Sequence, residues 1–176
     1  MVKKKGTLSG NYANEFTIIG IACHIPEYRV VHFLNKISNF SFIRYNDLMV
    51  YKKNNEDPQG FAFYYFDDIE NCATYHLISN RGSDGIMINE WKQIDFLLIA
   101  SISNQNIKFK SIVTEIKKVP NVLAVSQMLP TKKIEIDNLL TDLELHINEI
   151  RKKEKEKDKE IANKLKTNRL SLISKI

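Results

Sequence analysis

The sequence predicts an α+β fold: a mainly antiparallel sheet with helices packed on it, followed by a long C-terminal helical extension. Three observations carry this expectation. The order of predicted elements is strand–helix, a meander of strands, then strand–helix–strand. Two segments place apolar residues at i, i+3, i+4 and i+7, the stripe of a half-buried helix. After Pro130 the character of the chain changes to a long, highly charged helical pattern. The expected organisation is a flexible basic N-terminus at 1–15, a globular domain at 16–130 and a charged helical extension at 131–176.

Residues 16–23 are rich in β-branched and aromatic side chains and read as the first strand. A helix follows. Pro26 suits its first position, where a missing N–H leaves no bond unmade, and Glu27 suits the positive end of the helix dipole. Val30, Phe33, Leu34 and Ile37 form its buried stripe, and Ser38-Asn39 ends it. Short strands are predicted at 40–45 and 48–52, with a turn at 54–58. Further strands are expected at 60–66 and 73–79, then an edge strand at 85–88. In 60–66 both alternating faces are apolar: Phe61, Phe63 and Tyr65 on one, Ala62, Tyr64 and Phe66 on the other. That pattern belongs to a strand covered on both faces.

The continuous apolar run at 96–100 is the best candidate for the sheet centre. Phe109, Ile112, Val113 and Ile116 mark the next helix, and 122–128 the last strand. If the strands flanking this helix are parallel, their connection is a right-handed crossover. The expected layering has the helices against one face of the sheet.

Beyond Pro130, Leu140, Leu143, Ile147 and Ile150 follow an a/d spacing over two heptads. Residues 151–160 contain no apolar side chain, and apolar residues return at Ile161, Leu165, Leu172 and Ile176. This predicts a helix that leaves the domain, crosses water at the charged run and docks again at its end. A frayed tail is the alternative.

Composition excludes several classes. The chain has 176 residues, enough for one domain with a real core. No apolar run approaches the roughly 20 residues that span a bilayer. Residues 6–15 are polar where a secretory signal has its apolar stretch. Two cysteines, Cys23 and Cys72, are too few for a secreted disulfide framework, so buried reduced thiols and a cytoplasmic location are expected. The net charge of +5 sits in the tail: residues 151–176 hold ten Lys or Arg against four Asp or Glu. Such a tail attracts phosphates or acidic protein surfaces. The alternation of Lys with Glu weakens any single-sign field.

Catalytic and metal signatures are absent from the sequence. Cys23 and His24 are adjacent and point to opposite faces of a strand. Cys72 and His76 come close enough to act together only on a helix, in a region that reads as β. The glycines are scattered and form no phosphate-cradling loop. No serine sits in a strand-to-helix elbow. Asp67-Asp68 reads as turn chemistry. No cofactor is expected, and an enzyme would need a pocket lined by Glu27, His32 or His76.

Gln59-Gly60-Phe61-Ala62-Phe63-Tyr64-Tyr65-Phe66 is similar to the first ribonucleoprotein motif of RNA-recognition modules, in which Phe61 and Phe63 would stack on bases. It departs from that motif at Gln59, which replaces a basic residue. The first strand offers Ile18, Ile19 and Gly20 where a partner aromatic belongs. A core strand covered on both faces is the competing account, and it buries the rings.

Ile25-Pro26-Glu27, three residues, then Val31-His32-Phe33 resembles the defining motif of the IPExxxVDY family, small uncharacterised proteins of Bacteroidota. Leu34-Asn35-Lys36, residues 75–80 and residues 95–99 extend the resemblance, which covers roughly 16–140. His32 stands where the family pattern has Asp, so no carboxylate role carries over to that position. The resemblance implies no activity, cofactor or catalytic residue. Tyr28, Arg29 and His32 are the motif residues that helix-start physics and core packing leave over, and they form a candidate surface.

Two functional expectations follow. The first is a non-enzymatic cytoplasmic adaptor or interaction module that engages another protein through its surface and C-terminal helix. The alternative is an RNA-binding module that stacks bases on Phe61 and Phe63 and holds phosphates with Arg151, Lys152, Lys153, Lys155, Lys157 and Lys159.

Overall fold

A strand with no polar side must be covered on both faces, and the most apolar stretches of this chain take that place. A computed structural model describes residues 16–37, 40–51, 57–83, 85–103, 109–129 and 133–173. The basic arm at 1–15, the Ser38-Asn39 helix stop, most of the 54–58 turn and Pro130 lie outside the described residues, as do the side chains of Leu165, Leu172 and Ile176. The chain runs β1 (Phe16–Cys23), α1 (Glu27–Ile37), β2 (Ile43–Arg44), β3 (Leu48–Val50), β4 (Gln59–Phe61), β5 (Phe63–Asp68), β6 (Ala73–Ser79), β7 (Arg81–Gly82), β8 (Gly85–Ile86), a 3-10 turn (Asn89–Trp91), β9 (Phe96–Ile102), α2 (Phe109–Ile116), β10 (Val122–Gln127) and α3 (Lys133–Ile173).

Six strands form one antiparallel sheet in the order β10-β1-β9-β6-β5-β2. β9 lies inside it, and Leu97, Leu98 and Ile99 have no solvent exposure. β9 and β10 are both antiparallel to β1, which lies between them. The final strand–helix–strand unit therefore joins two parallel strands that are not neighbours.

The expected single helical face is corrected to two. On one face, α1 and α2 bury Val30, Val31, Leu34, Ile112 and Ile116 against Ile19, Ile21, Leu77, Leu98 and Ala100. On the other, Ile136, Leu139, Leu140, Leu143 and Ile150 of α3 join Phe61, Phe63, Ile78, Leu97, Ile99 and Trp91. The sheet needs both layers because β6 and β9 carry large side chains on each side. The first half of α3 thus belongs to the core, and the domain continues past the boundary expected at 130.

The aromatic segment 59–66 divides at Ala62. β4 pairs with β3 in a small separate sheet, while β5 pairs with β2 and β6 in the large one. Ala62 accepts a hydrogen bond from Ser79 N at 2.9 Å, which holds the chain at the division. Gly20 on β1 answers a different demand. A Cβ there would lie 2.6 Å from Met128 Sδ, so glycine lets that side chain lie against β1 without shifting.

Pro26 sits one residue before α1, and its carbonyl accepts hydrogen bonds from Arg29 N and Val30 N. Glu27 is the first helical residue, near the positive helix end. At the other end of the sheet, Asp68 caps the β5–β6 turn by accepting from Asn71 N at 3.1 Å and Asn71 Nδ2 at 2.8 Å. Both cysteines are free. Cys23 is buried as expected, but Cys72 is exposed, because it lies in this turn with φ at 49° and its side chain has no core to enter.

A buried polar hub locks the ends of β6 and β9. Asn80 has no exposure; its Nδ2 donates to Trp91 O and Ile94 O, and its Oδ1 accepts from Ile88 N, each at 2.9 Å. Asp95 accepts from Cys23 N at 2.9 Å and from Arg81 Nε at 2.6 Å. These contacts give the loop at 80–95 its shape by satisfying groups that burial would otherwise leave unpaired.

Candidate functional site

Three places in the fold carry polar side chains beyond what packing requires. The first lies where one end of the sheet meets α3. Phe16, Ser101 and Thr74 are cross-strand neighbours on β1, β9 and β6, and they form a row on the face that α3 covers. His76 stands in the next row, opposite Tyr65 and Ile99. Above them α3 contributes Glu144, Ile147, Asn148 and Arg151, spaced along one side of the helix. The resulting pocket has a volume of about 330 Å³.

His76 is 2% exposed, and its ring stacks on Tyr65 at 5.2 Å and on Phe63 at 6.1 Å between centroids. Its Nδ1 is buried with no hydrogen-bond partner. Burial, with Arg151 adding to it, pushes the imidazole pKa down from 6.5 to about 4, so the ring is neutral at physiological pH. Arg151 Nη2 donates to Tyr65 Oη at 3.4 Å, and that bond raises the guanidinium pKa further.

A second pocket, of about 630 Å³, lies on the opposite flank of α3 between Arg44, Tyr45, Asp47, His146, Lys153 and Lys157. Tyr45 Oη donates to Glu154 Oε1 at 2.7 Å. Burial, then this carboxylate, push the phenol up to about 12. His146 Nε2 lies 3.1 Å from Asn46 O, and its ring meets Phe63 edge-on at 4.9 Å. Burial lowers the His146 pKa.

The third place is the outer side of α1. Tyr28 is 63% exposed, and Arg29 and His32 are exposed beside it. They lie on the side of the sheet opposite α3. Glu27, His32 and His76 therefore do not meet in one pocket: His76 lines a pocket under α3, while Glu27 and His32 are on α1. Among the described residues, no group of three or more His, Cys, Asp or Glu could hold a metal ion. No described helix is long and apolar enough to cross a membrane.

Two sequence expectations are corrected. Phe61 and Phe63 both have 0% exposure, so neither ring can stack on a base. Both are core residues of the face that α3 covers. The a/d seam of Leu140, Leu143, Ile147 and Ile150 is likewise taken up by this chain's own sheet rather than left for a partner. From Arg151 onward the described side chains of α3, including Lys152, Lys153, Lys155, Lys157, Lys159 and Lys164, are exposed.

Thr74, Ser101, Glu144 and Asn148 went unnoticed in the sequence. Their signal was parity. Thr74 has the parity of His76 and Ile78, and Ser101 that of Leu97 and Ile99, so each is a hydroxyl on the inward side of a doubly covered strand. No family model, curated protein or solved structure matches the chain.

Proposed function

We propose that this protein is a non-catalytic interaction module whose partner-binding element is the charged half of α3 beyond Arg151, residues 152–173, and whose partner is a protein with an acidic surface. The observation that carries this reading is the exposure of every described side chain from Arg151 to Lys164 on a helix 41 residues long. Along a stretch of about 35 Å beyond the core, the described side chains are exposed, and helices that bury little in tertiary packing are marginal in water. Binding supplies the missing contacts.

Lys152, Lys153, Lys155, Lys157 and Lys159 provide the attraction, and Ile161, 56% exposed, provides an apolar anchor. Interleaved Glu154, Glu156 and Glu160 suit a protein surface of mixed charge better than a polyphosphate backbone. Arg151 is engaged by Tyr65 and belongs to the domain. The two free thiols support a cytoplasmic setting. Kinship with the IPExxxVDY family forms part of the same reading and adds no activity to it.

The test uses the full chain and a form ending at Arg151, which retains all core residues of α3 and removes the lysines. Bound proteins are captured from native lysate, identified, and the interaction is rebuilt with the purified partner. The expected result is binding by the full chain that is lost on truncation and weakens with salt. Equal binding by both forms overturns the proposal. Capture abolished by ribonuclease assigns the helix to RNA instead.

A further inference from the structure

We propose that the pocket between the sheet and α3 binds a small zwitterion of the free amino-acid class. Its floor is uncharged: the hydroxyls of Thr74 and Ser101 and the ring of His76. Its roof carries one acid and one base, Glu144 and Arg151. They are seven residues apart, two helical turns or about 10 Å along the axis, and so lie on the same side of α3. Among the described residues no ion pair joins them to each other, and the ion pairs present elsewhere involve other side chains.

Two opposite charges outside any ion pair, with Arg151 held by the Tyr65 hydroxyl, line one small space and select for a ligand that carries both. A ligand carboxylate matches the planar fork of Arg151. An ammonium group matches Glu144, with the Asn148 amide between them able to donate or accept. A dianion would be repelled by Glu144 and a polyamine by Arg151. The volume of about 330 Å³ lies at the small end of ligand sites and matches a single small metabolite.

His76 lines the floor with its ring, while its Nδ1 is closed off from solvent and offers the pocket no hydrogen bond. Because the ring is neutral, it adds no third charge to the balance of Glu144 and Arg151.

The experiment titrates the full chain with the free amino acids one by one and follows the histidine ring signals by nuclear magnetic resonance. His146, on the other flank of the helix, serves as the internal control. The expected result is millimolar or tighter binding of at least one amino acid that moves the His76 signals and leaves those of His146 in place. N-acetylation or amidation of that amino acid weakens binding about tenfold or more, and Glu144→Gln and Arg151→Gln each do the same. If no amino acid moves the His76 signals, the proposal is overturned. It is also overturned if acetylated or amidated forms bind the unaltered protein equally well, a result that does not depend on the variants folding.

Discussion

Residues 133–150 and 151–173 belong to one continuous helix, yet they answer to different physics. In the first half, apolar residues recur at helical spacing and enter a core with Phe61, Phe63 and Leu97. In the second half no such stripe exists before Ile161, and the described side chains face water. Backbone geometry is the same in both. The difference is what each half finds beside it, which shows that a/d spacing alone does not distinguish a seam for a partner from a seam for the chain's own sheet.

The comparison can be broken most sharply in the core. Leu143 is 1% exposed, and Leu143→Ala is expected to lower unfolding free energy by about 2–5 kcal/mol. Ile161→Ala, in the exposed half, should stay within about 0.5 kcal/mol of the unaltered protein. Urea unfolding of the two variants measures both, and similar losses would erase the distinction.

Acid should also act on the docked half. With His76 at about 4 in the folded state and 6.5 unfolded, both states are neutral at high pH. As pH falls from 6.5 toward 4, the unfolded chain takes up a proton that the folded one refuses. Stability is therefore lost over that window, by about 3 kcal/mol in total. His76→Phe should flatten this part of the stability profile. An unchanged slope in that variant would show that His76 is not the group responsible.

The polar hub at the far end of β6 offers a second, polar test of the same core. Asn80→Ala takes the side-chain partner from Ile88 N and Ile94 O and should cost about 1–3 kcal/mol, read from the denaturation midpoint. At the junction of the two halves, Glu154→Gln should change stability by less than about 1 kcal/mol and lower the pKa of Tyr45, which ultraviolet titration detects. Truncation after Lys157 should have the smallest effect, leaving the melting temperature unaltered.

Much of the fold was legible in the sequence because it rests on local periodicity. The stripes of α1 and α2, the two-faced apolar pattern of the aromatic segment and the central position of 96–100 all appeared in the spacing of side chains. The division at Ala62 did not, since it depends on which strand pairs with each half. Nor did the candidate site. Thr74, Ser101, His76, Glu144 and Arg151 are scattered over residues 74–151, and no local pattern links a hydroxyl on one strand to a charge on a helix distant in sequence. His76 stood out in the sequence as a metal-ligand candidate with Cys72 and as one of three residues for which a pocket would matter.

By itself the sequence determined the element types, the α+β class and the contrast between an apolar seam and a charged run in the last helix, because each depends on short-range spacing and charge. Tertiary structure alone decided that α3 lies across the second face of the sheet. That single placement buries Phe61 and Phe63, consumes the seam and roofs the His76 pocket. The physical reason is that a strand apolar on both sides demands a cover without naming it, and the cover comes from a segment whose own spacing would suit any apolar surface.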